Sequence, residues 1–370
     1  MRYVECTFIR LYADISTVRT LLATHDGFHV PRSTSRPTAN PNNQDKVPTN
    51  TVFYVHGGGF CVHTATEKIV ASEVIKLYSN CKFYLCDYPL CPQVSASQIF
   101  QHCLKQYEKV HASCDGNVVI MGDSAGGNIA LSLKLHSQST NSFVPKGCVL
   151  LSPWIDVHGT SPLASFSSNR STDYMSAHFV KAFQSLTLSG SSGDVPTLED
   201  ILSRSSDLSD TLIVTGGGEL MADENVALWL ASGGSGGTCE IHVGDEAPHD
   251  FVMSRAFCKE GVFEEAWRVV ATRCRVFFGD FEEEGGEEWV EVELDEGEGE
   301  EEESEEEEEE EEEPDEKGYE HVKRFVDEVL KRQKRKTATK KKAAKKMPTK
   351  TPTKTSTIKR RASSRKRATK

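Results

Sequence analysis

The chain has 370 residues, 37% of them hydrophobic and 8% aromatic, with a formal net charge of −13. That is enough apolar material for one large domain with extensions, and the uneven charge sets a polar C-terminal region apart from the rest. No window approaches the roughly 20 apolar residues of a membrane span, and charges break every apolar run near the N-terminus, so neither a membrane helix nor a secretory leader is expected.

Residues 1–50 form a weakly patterned segment ending in a Pro/Ser/Thr/Asn-rich connector. Apolar, β-rich runs then recur at 51–55, 82–86, 117–121, 147–151, 211–215 and 239–243, with helical spacing over 66–78, 97–110, 125–136 and 225–231. Strands alternating with helices predict an α/β fold, a mostly parallel sheet covered on both faces. The span 153–210 is longer and Ser-rich and predicts a helical insert, with one helix near 176–185. A further helix is expected over 261–278, which closes a domain assigned to 51–280.

Composition changes sharply beyond that point. Residues 281–318 are dominated by glutamate, with an unbroken run from Glu305 to Glu313. Like charges at that density repel and bury no core, so a disordered acidic run is expected. Residues 319–330 read as a short amphipathic helix with Val322, Phe325, Val326 and Val329 on one face, placed where a last helix of the domain could return. Residues 331–370 are Lys/Arg-rich and are expected to be a disordered basic tail. Such runs read as sites for nucleic acid or a nuclear import factor. No aromatic residue interleaves this one, which argues against stacking on bases. The 11 cysteines include no CxxC pair and no zinc spacing, so reduced buried thiols and a cytoplasmic location, or a nuclear one through the tail, are expected, with no metal and no cofactor.

Two stretches carry chemistry. In "VVIMGDSAGGNIALSL" an apolar strand runs into Gly122-Asp123-Ser124-Ala125-Gly126 and a helical pattern starts at once. This is G-x-S-x-G in a strand–turn–helix context, which stands a serine hydroxyl at a helix N-terminus. In "FYVHGGGFCVH" three glycines end a strand, where side-chain-free amides can approach an oxyanion. Among the histidines past Ser124, His136 lies on the helix behind the elbow, His158 and His178 in the insert, His242 inside a strand and His321 beyond the acidic run. His249, in the loop after the last strand, is the candidate base. Glu219, Asp223 and Glu224 follow the penultimate strand as candidate orienting acids, with Glu219 favoured at the strand's exit.

The set "HGGGF", "GDSAGGNIAL", "LLSPWIDV", "GGGELMADE" and "PHDF" resembles the hormone-sensitive-lipase group of α/β-hydrolases, over roughly residues 51–251. The group includes arylacetamide deacetylases and fungal steryl acetyl hydrolases. The resemblance implies an α/β-hydrolase fold and a triad of Ser124, Glu219 and His249. It implies oxyanion donors at Gly57, Gly58 and Ala125, and an acyl-enzyme route on short- to medium-chain esters, with steryl and aryl acetates as candidates. Phe60, Trp154 and Met175 are candidate pocket residues. The chain departs from the group in its weak pattern before the HGGG strand and in its charged tail. A non-catalytic small-molecule-binding protein and a nuclear scaffold are the alternative readings; retention of both Ser124 and His249 argues against the first.

Overall fold

The computed structural model describes residues 50–280, apart from 65, 190–194 and 235–237, and residues 320–346. The N-terminal segment, the acidic run and the distal basic tail lie outside the described residues.

Six parallel strands form one sheet, in the order β2-β1-β3-β4-β5-β6. They are β1 (Thr51–Val55), β2 (Lys82–Cys86), β3 (Val118–Asp123), β4 (Gly147–Leu151), β5 (Thr211–Gly216) and β6 (Cys239–Gly244). The four central strands are buried along their whole length, while β2 and β6 at the edges are only partly covered. That explains their near-continuous apolar sequences, since a parallel sheet with helices on both faces has no solvent side. Successive residues point to opposite faces. Phe53, Val55, Val118 and Ile120 enter one core, and Val52, Tyr54, Val119 and Met121 enter the other.

The second core is closed by α1 (Thr66–Leu77) and α8 (Val262–Phe278), through Val70, Val74, Trp267 and Val270. The first and larger core packs beneath α2 (Ala96–Ser113), α3 (Ser124–Thr140) and α7 (Ala222–Ala231). The insert between β4 and β5 supplies α4 (Ser165–Ser168), α5 (Ala177–Leu188) and α6 (Leu198–Leu202) to the same side. An N-cap at Ser176, whose side chain accepts from the Phe179 amide, starts α5. All ten described cysteines are free, and nine of them are buried.

The last described helix, α9 (Glu320–Lys346), returns to the fold after the acidic run. Val322, Val326 and Val329 sit in the first core, each 3% exposed or less. The expected break near residue 330 is absent, because the helix continues to Lys346. Lys, Arg and Ala are good helix formers, so a basic composition does not by itself unwind the backbone. A second compact unit begins at Lys331. Among the described residues, no helix is long and apolar enough to cross a membrane.

Candidate active site

The site is assembled from loops that leave the C-terminal ends of the strands, where open parallel sheets place their ligands. Each loop brings one functional group.

Ser124 sits between β3 and α3 with φ at 49°, a left-handed conformation that an L-residue adopts only in a forced turn. The flanking glycines make the turn possible. A Cβ on Gly122 would meet the Gly126 carbonyl oxygen at 2.4 Å, and a Cβ on Gly126 would meet the Val55 carbonyl oxygen at 2.1 Å. The strand-to-helix turn therefore closes only with hydrogen at both positions. It leaves Ser124 at the N-terminus of α3, where the aligned peptide dipoles favour negative charge.

His249 arrives from the loop after β6, and its side chain is fully buried. Its Nε2 lies 2.9 Å from Ser124 Oγ, and its Nδ1 lies 3.3 Å from Glu219 Oε2. Glu219 stands just past β5 and is fully buried as well. Its second oxygen, Oε1, accepts from Asn225 Nδ2 at 2.9 Å and from the Thr215 hydroxyl. The other two acid candidates are occupied elsewhere. Asp223 Oδ2 accepts the amides of Ala164 and Ser165 and pairs with His321 Nε2 at 2.8 Å. Glu224 accepts the amides of Ile155 and Asp156 at 2.6 and 3.1 Å. Both tie the β5–α7 region to the insert, and Asp223 ties it also to α9, rather than to the imidazole.

Two further acids surround His249, Asp173 from the Ser-rich insert and Asp250 from the residue next to it in sequence. Asp173, in the insert, accepts the His249 backbone N–H at 3.2 Å and the Leu220 N–H at 2.7 Å, which locks the two loops together. Asp250 Oδ2 lies 3.4 Å from His249 Nε2. Burial pulls the imidazolium pKa down, but the negative charges of Asp250, Glu219 and Asp173 outweigh it and raise it to about 10.

The glycine loop after β1 is held by its own histidine. His56 Nδ1 lies 2.7 Å from the Gly57 carbonyl, and His56 Nε2 lies 3.1 Å from His63 Nδ1. The pair of contacts fits a neutral His56 that donates from Nδ1 and accepts at Nε2. Burial lowers its pKa to about 4, in keeping with a neutral ring. Tyr88 stacks on that ring at 4.2 Å and donates its hydroxyl to the His56 carbonyl.

One predicted donor is placed differently. The Gly57 N–H donates to Asp123 Oδ1 at 2.8 Å and so is not free for an oxyanion. Asp123 is fully buried beneath the loop and also accepts from the Tyr54 hydroxyl at 2.5 Å; burial pushes its carboxyl up to about 6. The amides of Gly58 and Gly59 have no acceptor among the described residues. Ala125 lies in the first turn of α3, where backbone donors have no intrahelical acceptor.

Of the predicted pocket residues, Phe60 and Trp154 are each 3% exposed, with ring centroids 5.9 Å apart. The Trp154 amide donates to the Ser124 carbonyl at 3.0 Å, which ties this wall to the elbow. Met175 is partly buried against the same core, its amide on Asp173 Oδ1. Phe183 of α5 roofs the glycine loop, its ring 2.4 Å from where a Gly59 Cβ would stand. Among the described residues, no cluster of three or more His, Cys, Asp or Glu side chains is arranged to hold a metal ion.

A parallel sheet, a strained serine at a helix N-terminus, and a histidine and an acid in hydrogen-bonding order define an α/β-hydrolase. A family model for the alpha/beta hydrolase fold matches residues 52–253, more than half the chain, and the chain belongs to that family. It is 26% identical over 184 residues to an esterase of Acinetobacter venetianus, a match covering 48% of this chain and 59% of that protein. It is 25% identical over 220 residues to esterase LipU of Mycobacterium tuberculosis, covering 57% of this chain and 73% of that one. Among solved structures, a hormone-sensitive lipase from a metagenome library superposes with a TM-score of 0.56 at 21% identity, covering 63% of this chain and 80% of its own. That likeness concerns the fold.

Proposed function

We propose that the protein is a serine carboxylic-ester hydrolase working through an acyl-enzyme. Ser124 Oγ attacks the ester carbonyl as His249 Nε2 takes its proton. Glu219 holds the imidazole tautomer and balances the charge that develops on the ring. The tetrahedral oxyanion is received by the amides of Gly58, Gly59 and Ala125, held in place before the reaction begins. His249 then protonates the leaving alcohol, and later activates the water that releases the acid.

The observation that carries this reading is the 2.9 Å contact between Ser124 Oγ and His249 Nε2, backed by the 3.3 Å contact to Glu219. Phe60 and Phe183 crowd the glycine loop with aromatic rings, which supports a compact acyl group. Short- to medium-chain esters, steryl and aryl acetates among them, are the proposed substrate class.

Hydrolysis of p-nitrophenyl esters from acetate to decanoate, beside Ser124→Ala, tests the proposal. Activity on the short members that falls by a factor of about 10³ or more in the variant supports it. A folded wild-type protein inert on every ester contradicts it.

A further inference from the structure

Ser124 does not have His249 Nε2 to itself. Asp250 Oδ2 lies 3.4 Å from the same nitrogen, in a side chain that is largely buried. The placement is fixed by the backbone. Asp250 holds φ at 50°, and its N–H donates to Ser152 Oγ at 3.1 Å. Its other oxygen, Oδ1, is buried with no hydrogen-bond partner among the described residues.

With Glu219 fixing a proton on Nδ1, a neutral imidazole presents a lone pair at Nε2. An ionised carboxylate against a lone pair in a dry site is repulsive. One added proton on the ring nitrogen makes the contact attractive. The other titratable groups around this pair do not remove that proton. Glu219, Asp173 and Asp123 face the imidazole with negative charge, and the phenols of Tyr54 and Tyr174 face Asp250.

We propose that Asp250 is a positioning residue that retains a proton at His249 Nε2, so that the base is released to Ser124 only when that proton is lost. The inference rests on the hydrolase reading for its consequence, but not for the contact itself. The neighbouring acids raise His249 to about 10, and burial raises the Asp250 carboxyl as well, so the contact between them keeps a proton. In the resting enzyme the imidazole is held by acids at both nitrogens. Ester hydrolysis then rises with pH into the alkaline range, and Asp250 sets where the rise begins.

The test compares kcat/KM against pH for p-nitrophenyl acetate in the wild type, Asp250→Gly and Asp250→Asn. Gly and Asn both accept a positive φ, so the turn survives. The acid limb is expected to move to lower pH by about one unit or more in both variants, roughly a tenfold gain in rate below the wild-type limb. A limb that stays in place in both variants overturns the proposal. A second readout needs no turnover. In Ser124→Ala, the ¹⁵N shifts of His249 near neutral pH should report a doubly protonated ring with Asp250 present, and a singly protonated ring in Asp250→Gly. A singly protonated ring with Asp250 in place overturns the proposal even if no ester is hydrolysed. Absence of all esterase activity strikes instead at the hydrolase reading.

Discussion

Asn225 Nδ2 donates to Glu219 Oε1 at 2.9 Å, so the glutamate meets His249 with one oxygen already engaged. Thr215 donates to the same oxygen. With Oε1 held by two donors, Oε2 is left to face Nδ1. Glu219→Gln keeps the shape and removes the charge. It is expected to lower kcat on p-nitrophenyl acetate by about 10³- to 10⁴-fold, the cost of a misoriented tautomer in a triad.

Asp223, four residues further on, provides the contrast. It caps the amides of Ala164 and Ser165 and pairs with His321. Asp223→Asn should stay within a few-fold of wild-type kcat while lowering Tm. Equal losses of activity in Asp223→Asn and Glu219→Gln would mean that the assignment of the acid is wrong.

The elbow has no room for a methyl group. A Cβ on Gly126 would lie 2.1 Å from the Val55 carbonyl oxygen and 2.4 Å from that of His56. Both are backbone atoms of the central strand and its exit, so neither can turn aside. Gly126→Ala is expected to cost about 3 kcal/mol or more. Thermal unfolding should register this as a drop of roughly 6 °C or more.

The helix beyond the acidic run belongs to the core. Val326 is 3% exposed among residues of the first core. Val326→Asp buries an unpaired carboxylate and should destabilise the fold by about 3 kcal/mol, read as a shift in the urea midpoint. An unchanged midpoint would mean that the helix does not dock.

His56 makes stability depend on pH. Its pKa is lowered from 6.5 to about 4 by burial, so between those values the unfolded chain binds a proton that the folded chain refuses. Stability from this residue is therefore full above about pH 6.5 and lost as pH falls towards 4, by up to roughly 3 kcal/mol. His56→Gln should be less stable at pH 7.5 yet lose less between pH 7 and pH 5 than the wild type. Parallel curves for the two proteins would contradict this.

Much of the site could be read from the sequence because local geometry enforces it. Gly122 and Gly126 bracket Ser124 for steric reasons that any reader of G-x-S-x-G can apply. His249 stood out because the other histidines past the elbow fall on a helix, a strand, the insert or the tail helix. The three acids of "ELMADE" lie within six residues, and only the turn after β5 decides which of them faces the imidazole. Which way the Gly57 amide points was not legible, since it depends on Asp123, a residue 66 positions away. Asp173 came from a Ser-rich stretch without periodicity. Asp250 could be seen beside His249, but its approach to Nε2 depends on a left-handed backbone that the letters do not announce. The helix past residue 330 was hidden by its charge, which resembles the composition of an unfolded tail although its residues favour helix.

A serine activated by a neighbouring histidine is trapped covalently by an electrophilic phosphorus reagent, and Ser124 beside His249 should be so trapped. The most direct measurement is the intact mass of the full chain after incubation with a fluorophosphonate, followed by peptide mapping, in the wild type, Ser124→Ala and His249→Ala. One phosphonyl group on the Ser124 peptide of the wild type is expected, with no adduct in Ser124→Ala and labelling slowed at least a hundredfold in His249→Ala. A folded wild-type protein that takes up no label, or takes it up equally in Ser124→Ala, would contradict the account.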